Sequence, residues 1–293
     1  MLSQVLAQEL RGRRLLATDL DGTLLRPDLT VSDLTRAAIA DAVAAGIHVV
    51  FVTGRPPRWL RAVAHETGHA GTAICANGAV LLDLVQQRVR QRTTIDAAVA
   101  QQVAAGLRAR YGAAVHFAVE RVAVGPMPLT DSPFGAGSPV EFAIEEGYRG
   151  RMPFADDVPR LPLPDLLALP DVVKLLARLQ RDDPQEFWPT AISLSAGRLE
   201  ATHSSSDALL EFGPGGVTKA TALAELVAAL GLTQRDVVAV GDMPNDVAML
   251  DWAGIGLAVV NGHDSAKSVA DHHVPSPLED GVGLTLRAML GRD

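Results

Sequence analysis

The first third of the chain alternates short apolar runs with longer segments of helical periodicity. Three apolar runs predict buried strands, at residues 14–20, 47–54 and 72–79. Helices are predicted between them at residues 30–46, with Ser32 as N-cap and Gly46 as the stop, and at residues 56–68. A further apolar run at residues 79–84 predicts a hairpin partner for the third strand.

The same alternation returns in the last third of the chain. Helices are predicted at residues 217–231, 244–254, 263–273 and 282–290. Strands are predicted beside them at residues 236–242, 255–262 and 273–276. Strands that alternate with helices pair in parallel and are covered on both faces. The outer thirds therefore predict an α/β fold with a doubly wound, Rossmann-like parallel sheet.

The middle of the chain breaks this rhythm. One long helix is predicted at residues 95–112, followed by a strand at residues 113–124, and residues 171–180 favour a further strand or a helix start. The proline- and glycine-rich stretches between them predict irregular loop. The expected division is an inserted α+β cap domain of residues 84–209 in a core domain of residues 1–83 and 210–293.

Composition and charge argue against several classes of function and location. The net charge of −8 argues against a broad nucleic-acid footprint, and no apolar run is long enough for a membrane span. The basic residues near the N-terminus follow the apolar ones, the reverse of a secretory signal. The single cysteine, Cys75, rules out an intrachain disulfide. We expect a cytoplasmic protein, and its oligomeric state is not readable from the sequence.

Two aspartates stand at the end of the first predicted strand, in the segment LLATDLDGT. Asp19 and Asp21 are two residues apart, so in extended chain both side chains leave on the same side. Carboxylates disfavour a buried strand, but strand ends are where open parallel sheets bind ligands. The alternative is an Asp-Gly hairpin turn at Gly22, for which the following segment has a poor strand pattern.

Other polar residues occupy matching positions along the chain. Each lies at a predicted strand end or at the start of a helix: Thr53, Gly54, Arg55, Lys219, Asp242, Asn245 and Asp246. Singly, each has a structural explanation as a turn residue or a solvated lysine. Because parallel strands gather their carboxyl ends at one edge of a sheet, the ordered set predicts one site.

The chemistry of this cluster accounts for its composition. Asp19, Asp21, Asp242 and Asp246 would repel one another without a cation among them. Oxygen ligands combined with phosphate chemistry favour Mg²⁺. Asp19 is then expected as the nucleophile toward phosphorus, which gives an aspartyl-phosphate. Asp21 is expected to protonate the leaving oxygen and later to deprotonate the attacking water.

The same reasoning assigns the groups that hold the phosphoryl oxygens. The Thr53 hydroxyl, the Gly54 N–H and the Lys219 ammonium can stabilise charge that shifts onto these oxygens during transfer. Thr53 and Lys219 are therefore expected to serve both catalysis and substrate binding.

At this point the sequence resembles the haloacid dehalogenase-like superfamily. The four motifs of that superfamily read here as DLDGT, VTGR, the lysine of GVTKA, and GDMPND. The long insertion after the second motif resembles a type IIB cap, and CANGA and GPGGVTKATAL resemble segments of Cof-like phosphatases. The resemblance implies a doubly wound core and a Mg²⁺-dependent phosphatase that acts on a small soluble phosphomonoester.

The resemblance also implies individual roles. The backbone oxygen of Asp21 would bind Mg²⁺ beside the carboxylates of Asp19 and Asp242. Asp246 would steady Lys219 or metal-bound waters. Phosphate contacts are implied from the Leu20 backbone, Thr53, Gly54, Lys219 and Asn245, and Arg55 of the second motif joins the expected substrate-binding residues.

Two other functions stay open at this stage. A phosphosugar mutase would share the nucleophile and the cap, and a non-catalytic phosphometabolite-binding protein would share the scaffold. The substrate is also open among sugar phosphates, a riboflavin-pathway phosphate, pyridoxal phosphate and nucleotides.

Several residues have no settled role. Asn77 either faces the site or satisfies a tight turn, and Lys174 either touches substrate from the cap or is solvated. Adjacent His272 and His273 would face opposite sides of a strand and so would not chelate one metal. Cys75 is expected in the core.

Overall fold

The computed structural model of this protein describes residues 2–127, 141–149, 158–179, 184–202 and 209–292. Within these ranges the chain forms a nine-stranded sheet and a six-stranded sheet. The larger sheet is built mainly from the two ends of the chain, and the smaller one from its middle.

The strands and helices follow one another closely along the chain. The strands are β1 (Leu15–Thr18), β2 (His48–Val52), β3 (Thr72–Cys75), β4 (Val80–Asp83), β5 (Arg88–Arg92), β6 (Val115–Arg121), β7 (Gly125–Pro126), β8 (Phe142–Glu145), β9 (Arg160–Leu161), β10 (Val172–Leu179), β11 (Leu199–Thr202), β12 (Leu209–Pro214), β13 (Val237–Gly241), β14 (Ile255–Val259) and β15 (His272–Val274). The helices are α1 (Gln4–Leu10), α2 (Asp33–Ala44), α3 (Leu60–Thr67), α4 (Ala97–Tyr111), α5 (Leu163–Leu167), α6 (Pro184–Ser195), α7 (Lys219–Ala229), α8 (Val247–Trp252), α9 (Asp264–Val269) and α10 (Gly281–Met289). Among the described helices, none has both the length and the apolar character that crossing a bilayer requires.

The larger sheet has the strand order β15-β14-β13-β1-β2-β3-β4-β5-β7. The strands from β15 to β3 pair in parallel, and β4, β5 and β7 extend one edge in antiparallel pairing. The chain winds outward from β1 through β2 and β3, and later from β13 through β14 and β15 on the other side. The winding direction therefore reverses between β1 and β13, where open α/β sheets bind ligands. The predicted doubly wound sheet and its β3–β4 hairpin are confirmed.

The central strands are apolar throughout because both faces of the larger sheet are buried. Leu16 of β1 packs in the cluster that contains Ile39 of α2 and Leu286 of α10. Its neighbour Leu15 packs on the other face, in the cluster that contains Leu223 of α7. Successive side chains of a strand point to opposite faces, so burial of both faces removes the polar alternation from the sequence.

The smaller sheet has the strand order β11-β12-β10-β6-β8-β9 and is antiparallel except for the β8–β9 pair. The helices α4, α5 and α6 lie together on this sheet, with contacts from α4 and α5 to β6. In β10, Leu175 and Ala177 pack in the cluster of these helices. The alternate residues, Lys174 and Leu176, therefore lie on the opposite face, which is turned toward the larger sheet.

Local signals in the sequence are confirmed at several elements. Ser32 caps α2, since its side chain accepts a hydrogen bond from the backbone N–H of Thr35. Gly46 follows the end of this helix with a left-handed φ of +81°. The ambiguous segment of residues 171–180 forms the strand β10.

The prediction of irregular loop is wrong for part of the proline-rich middle. Residues 158–170 contain β9 and α5, and α5 begins after Pro162 with Pro164 in its first turn. Proline is tolerated there because the first N–H groups of a helix have no partner within the helix. Residues 128–140 and 150–157, which hold most of the remaining proline-rich sequence, lie outside the described residues. The helix α6 and the strands β11 and β12 were not predicted.

Sheet membership bears on the expected domain limits. The strands β5 and β7 lie within residues 84–209 but pair in the larger sheet, whereas β12, which begins at Leu209, pairs in the smaller sheet. The chain thus passes between the two sheets more than once. The division into a core of residues 1–83 and 210–293 and a cap of residues 84–209 stays a prediction.

Candidate active site

Asp19 and Asp242 follow the two central strands, β1 and β13, on either side of the point where the winding reverses. The backbone N–H of Asp19 donates to the carbonyl of Val240 at 2.9 Å, which ties the two strand ends together. The Asp242 carboxylate accepts a hydrogen bond from the Thr23 hydroxyl at 2.8 Å. Gly22 forms the turn with a φ of +81°, and a Cβ there would lie 2.6 Å from Asp242 Oδ2. The turn therefore requires glycine for its backbone and for space.

Lys219 is the buried cation of this cluster. It begins α7 and is 1% exposed. Its Nζ donates to Asp19 Oδ1 at 2.5 Å and to Asp246 Oδ1 at 2.6 Å. Burial by itself would lower the pKa of Lys219, but its attraction to the two carboxylates outweighs burial and raises the pKa. Lys219 therefore stays charged and holds Asp19 in place.

Asp246 is fully buried, and the protein occupies both of its carboxylate oxygens. Oδ1 accepts from Lys219, and Oδ2 accepts from the backbone N–H groups of Asp242 at 3.1 Å and Met243 at 3.0 Å. Gly241 permits this close approach, because a Cβ there would lie 2.6 Å from the Cβ of Asp246. The contact with Lys219 fits the expectation that Asp246 steadies Lys219, and the two backbone contacts hold its carboxylate in place.

The cluster carries more negative than positive charge. Burial raises the pKa of Asp19 well above its ordinary value, Lys219 opposes this rise, and Asp246 and Asp242 add to it. Burial also raises the pKa of Asp242 to about 7, with a further rise from Asp246, while the Thr23 hydrogen bond and Lys219 act in the opposite direction. Three buried carboxylates and one ammonium favour the uptake of a proton or a cation.

These residues fit a divalent cation. One oxygen from each of Asp19, Asp242 and Asp246 lies within 4.8 Å of the others. Carboxylate oxygens are hard donors of the kind that Mg²⁺ prefers. The raised pKa values of Asp19 and Asp242 mean that the fold disfavours their charged forms. A bound cation would stabilise those charged forms.

We expect the metal-free protein to lose thermal stability as pH rises from about 4 toward 7. Asp242 binds its proton more tightly in the folded chain than in the unfolded one. The contribution of this proton to the free energy of unfolding is therefore complete below the unfolded pKa of 3.8 and is lost as pH rises through about 7. Mg²⁺ binds the ionised form of Asp242, so the rise in Tm that Mg²⁺ produces should be larger at about pH 8 than at about pH 5.

Differential scanning fluorimetry with and without Mg²⁺ across this pH range measures both trends. Asp242→Asn should flatten the pH dependence and reduce the gain from Mg²⁺. A gain from Mg²⁺ that is equal or larger at the acidic end would contradict this account.

Asp21 lies at the mouth of the site in a bidentate ion pair with Arg55. Arg55 Nε donates to Asp21 Oδ2 at 2.7 Å, and Nη2 donates to Oδ1 at 2.5 Å. The Asp21 side chain is 53% exposed, whereas that of Arg55 is 8% exposed. This ion pair links two of the predicted motifs across 34 positions, and the sequence alone did not suggest the link.

Thr53 and Gly54 form the loop after β2. Thr53 is buried, its N–H donates to the carbonyl of Ile74 at 2.8 Å, and its hydroxyl accepts from the N–H of Arg55 at 3.1 Å. The carbonyl of Gly54 accepts from Lys174 Nζ at 2.6 Å. The loop is therefore held by the larger sheet on one side and by the smaller sheet on the other.

Leu20 and Asn245 complete the set of predicted phosphate contacts. The carbonyl of Leu20 accepts a hydrogen bond from the N–H of Leu25 at 2.8 Å, which closes the turn that follows β1 and Asp19. Asn245 donates from Nδ2 to Asn77 Oδ1 at 3.0 Å. Asn77 therefore contacts one of the predicted site residues, and its left-handed φ of +56° also places it in a tight turn.

A cavity of about 210 Å³ lies between the strand ends of the larger sheet and the open face of the smaller one. Among its lining residues are Asp19, Asp21, Thr53, Gly54, Arg55 and Asn245 from the predicted set. The smaller sheet contributes Glu120, Lys174, Leu176, Leu209 and Glu211. The remaining predicted residues, Lys219, Asp242, Asp246 and Leu20, are buried and are not among the residues that line the cavity.

Sequence reasoning missed the acidic residues of the smaller sheet. Glu120 lies on β6 and pairs with Arg58, whose Nη2 donates to Oε1 at 2.8 Å, and both residues are buried. Glu211 lies on β12 and accepts from Lys174 Nζ at 2.6 Å. The available signal was a charged residue inside an otherwise apolar run, as in HFAVER, VVKLL and LLEFG.

Three other candidate residues lie outside the chemistry. Cys75 is fully buried, and burial raises the pKa of its thiol, so it is a core residue as predicted. His272 and His273 contact different partners, the Glu9 carboxylate and the carbonyl of Lys267.

The fold and the site together define a class of enzyme. A doubly wound sheet that presents a buried Lys-Asp cluster beneath an inserted second sheet is the architecture of a capped phosphoryl-transfer hydrolase. A model of the haloacid dehalogenase-like hydrolase family matches residues 16–286, so the chain belongs to this family. It is an enzyme of the phosphatase type, and the non-catalytic alternative is set aside.

Similar proteins agree with this assignment. The chain is 30% identical over 284 residues to the 5-amino-6-(5-phospho-D-ribitylamino)uracil phosphatase YcsE of Bacillus subtilis, covering 94% of each chain. It is 28% identical to the pyridoxal phosphate phosphatase YbhA of Escherichia coli, covering 92% of this chain and 96% of that one. The HAD subclass IIB sugar phosphatase BT4131 shares the fold with a TM-score of 0.73 at 18% identity, over 94% of this chain and 98% of that one.

Proposed function

We propose that this protein is a Mg²⁺-dependent phosphatase that hydrolyses a small soluble phosphomonoester through an aspartyl-phosphate intermediate. The observation that carries the proposal is the contact of Asp19 with Lys219 at the floor of the cavity. This contact orients one carboxylate oxygen and leaves the other for attack. We expect the substrates to be cytoplasmic metabolites, in keeping with a single free cysteine.

In the first step, an Asp19 oxygen attacks phosphorus and the ester bond to the leaving group breaks. The leaving oxygen takes a proton from Asp21, and the product alcohol departs. The Thr53 hydroxyl, the Gly54 N–H and Lys219 stabilise the phosphoryl oxygens while charge shifts onto them.

In the second step, Asp21 takes a proton from a water molecule, and this water attacks the phosphorus of the aspartyl-phosphate. The bond to Asp19 breaks, which restores its carboxylate and releases inorganic phosphate. Arg55 is proposed to move from Asp21 to the substrate during binding, since its ion pair with Asp21 otherwise occupies both carboxylate oxygens.

Asp19, Asp242 and the backbone oxygen of Asp21 would hold Mg²⁺, with Asp246 supporting them through Lys219. The cation would neutralise the charge that develops on the phosphoryl group. Its presence also allows two carboxylates and a phosphate, all anionic, to occupy the same small volume.

We propose that the inserted module of residues 84–209 acts as the cap that contacts the leaving group. Its wall of the cavity combines the carboxylate of Glu120 with apolar Leu176 and Leu209, and Glu211, two residues past the end of the module, adds a second carboxylate. This mixture suits a leaving group with hydroxyls and a compact apolar part. The sugar, ribityl and pyridoxal phosphates in the names of the similar proteins are substrates of this kind, and they support a small phosphorylated metabolite here.

A panel of phosphomonoesters assayed for inorganic phosphate with Mg²⁺ tests the function. We expect turnover of small phosphorylated metabolites, and we expect Leu176→Ala to change the order of preference among them because it reshapes only the leaving-group side. An exposed substitution such as Val124→Ala is the control.

Hexose phosphates in the same panel separate the alternatives. Conversion to an isomeric phosphate without release of inorganic phosphate would favour a phosphosugar mutase. The absence of turnover for every phosphomonoester would contradict the proposed function.

A further inference from the structure

Lys174 joins the smaller sheet to the loop that carries Thr53 and Gly54. It is the third residue of β10, on the face turned toward the cavity, and is 4% exposed. Its Nζ donates to the carbonyl of Gly54 and to Glu211 Oε2, both at 2.6 Å. The contact with Gly54 joins residues 120 positions apart in the chain. The Lys174 ammonium of the smaller sheet therefore fixes the Gly54 peptide, which lies in the loop after β2 of the larger sheet.

The carboxylate of Glu211 extends this contact to a second loop of the site. Its Oε2 also accepts from Asn77 Nδ2 at 3.2 Å, and Asn77 Oδ1 accepts from Asn245 at 3.0 Å. Asn77 further donates to the Thr202 hydroxyl of β11 at 3.1 Å. The network thus runs from Lys174 to Asn245, which is a proposed phosphate contact.

The backbone at Asn77 is held in a strained form. Ala76 and Asn77 both have left-handed φ values, +51° and +56°. Their N–H groups donate to the carbonyls of Arg55 and Thr53, each at 3.0 Å. Consecutive non-glycine residues in this region persist only where surrounding contacts impose them. The loop is therefore built to hold Asn77 between the two sheets.

The presence of lysine rather than arginine at position 174 is itself informative. The chain has 26 basic residues, of which only Lys174, Lys219 and Lys267 are lysine. The two that are buried, Lys174 and Lys219, both lie at the site. A compact ammonium can donate to a carbonyl and a carboxylate from one nitrogen, whereas the wider planar guanidinium cannot occupy the same space.

We propose that Lys174 is a positioning residue that couples the seating of the smaller sheet to the geometry of the phosphate-binding loop. By holding the Gly54 carbonyl, it orients the peptide unit between Gly54 and Arg55, whose N–H donates to the Thr53 hydroxyl at 3.1 Å, and it thereby fixes the position of that hydroxyl. The inference rests on the proposed function, since it assigns Lys174 a part in the same site.

A second ion pair between the sheets provides a contrast. Arg58 and Glu120 are both buried and also join the segment before α3 to β6, and Arg58 lies 5.4 Å from the Trp59 ring and 5.5 Å from the Phe142 ring. The Arg58–Glu120 pair joins the smaller sheet to the segment before α3, whereas the Lys174 contact joins the smaller sheet to the loop of Thr53 and Gly54.

The test compares Lys174→Met, Lys174→Arg and the wild-type protein. Each is assayed with p-nitrophenyl phosphate for kcat and KM, and with inorganic phosphate for the shift that it produces in Tm. Arg178→Met is the matched control, because it removes one cation from the same face of the same strand, four residues away. All proteins are the full chain with Mg²⁺ present.

We expect Lys174→Met to lower kcat by about tenfold to a hundredfold and to weaken inorganic phosphate binding by about tenfold, the loss typical of a buried charge-assisted contact. Lys174→Arg should not restore either value, and Arg178→Met should leave both near wild type. Glu211→Gln should weaken phosphate binding in the same direction by a smaller factor.

Three results would overturn the inference. They are wild-type kcat and phosphate binding in Lys174→Met, full rescue by Lys174→Arg, and an equal loss in Arg178→Met. A wild-type protein that binds phosphate but hydrolyses no phosphomonoester would overturn the proposed function alone, because the phosphate-binding comparison still tests Lys174.

Discussion

Asp19→Asn should reduce turnover by on the order of 10⁴-fold or more while the protein stays folded. The amide keeps the shape of the side chain but removes the anionic nucleophile. Lys219 keeps its contact with Asp246 at 2.6 Å, so the buried cation is not left unpaired. The amide oxygen can also still accept from Lys219 Nζ, so the fold should survive the substitution.

Steady-state phosphate release and thermal unfolding measure the two effects separately. Asp251→Asn is the matched control, since Asp251 is an exposed carboxylate on α8, away from the cavity. The control should keep wild-type turnover. If Asp19→Asn retained a tenth of the wild-type rate, Asp19 would not be the nucleophile.

Asp21→Asn tests the role of the second carboxylate independently of the first. It leaves the nucleophile intact, so a substrate with a good leaving group should still phosphorylate Asp19, while hydrolysis of the intermediate should be slow. Intact-mass spectrometry would then detect the phosphorylated chain. The absence of an adduct under every condition would argue against Asp21 as the acid and base.

Removal of divalent cations should abolish activity, and Mg²⁺ should restore it. The carboxylates of Asp19 and Asp242 face one buried ammonium, and an incoming phosphate adds further negative charge. Ca²⁺ should inhibit in place of Mg²⁺, because its larger and less regular shell does not hold the same geometry.

Chelation followed by readdition of each cation, with phosphate release as the readout, measures this effect. Far-ultraviolet circular dichroism on the chelated protein is the control for folding. Full activity in excess chelator would end the proposal of a metal-dependent reaction. Restoration by Mg²⁺ in the wild type but not in Asp242→Asn would connect the requirement to the proposed ligands.

Much of the candidate site was readable from the sequence. Asp19, Thr53 and Asp242 follow apolar strands, and parallel strands bring their carboxyl ends to one edge whatever the details of packing. Lys219 was readable because it begins a helix in the same alternating pattern. The doubly wound sheet followed from periodicity for the same reason, since strand and helix repeats are local properties of the chain.

The smaller sheet was less readable. The helix α6 and the strands β11 and β12 lie in sequence rich in polar and proline residues, and their short apolar runs have no distinct period. The antiparallel pairing of β10 with β6 and β12 depends on segments far apart in sequence. Their order in the sheet is a result of packing rather than of any local signal.

The partners of the charged residues were decided by the tertiary structure alone. Residue type and spacing indicated that Asp21 and Arg55 belong to the site, but not that Arg55 occupies both oxygens of Asp21 across 34 positions. They left Lys174 and Asn77 undecided, and missed Glu211. A buried charge takes whichever opposite group the fold brings within about 3 Å, and that choice depends on distances between sheets that no local pattern encodes.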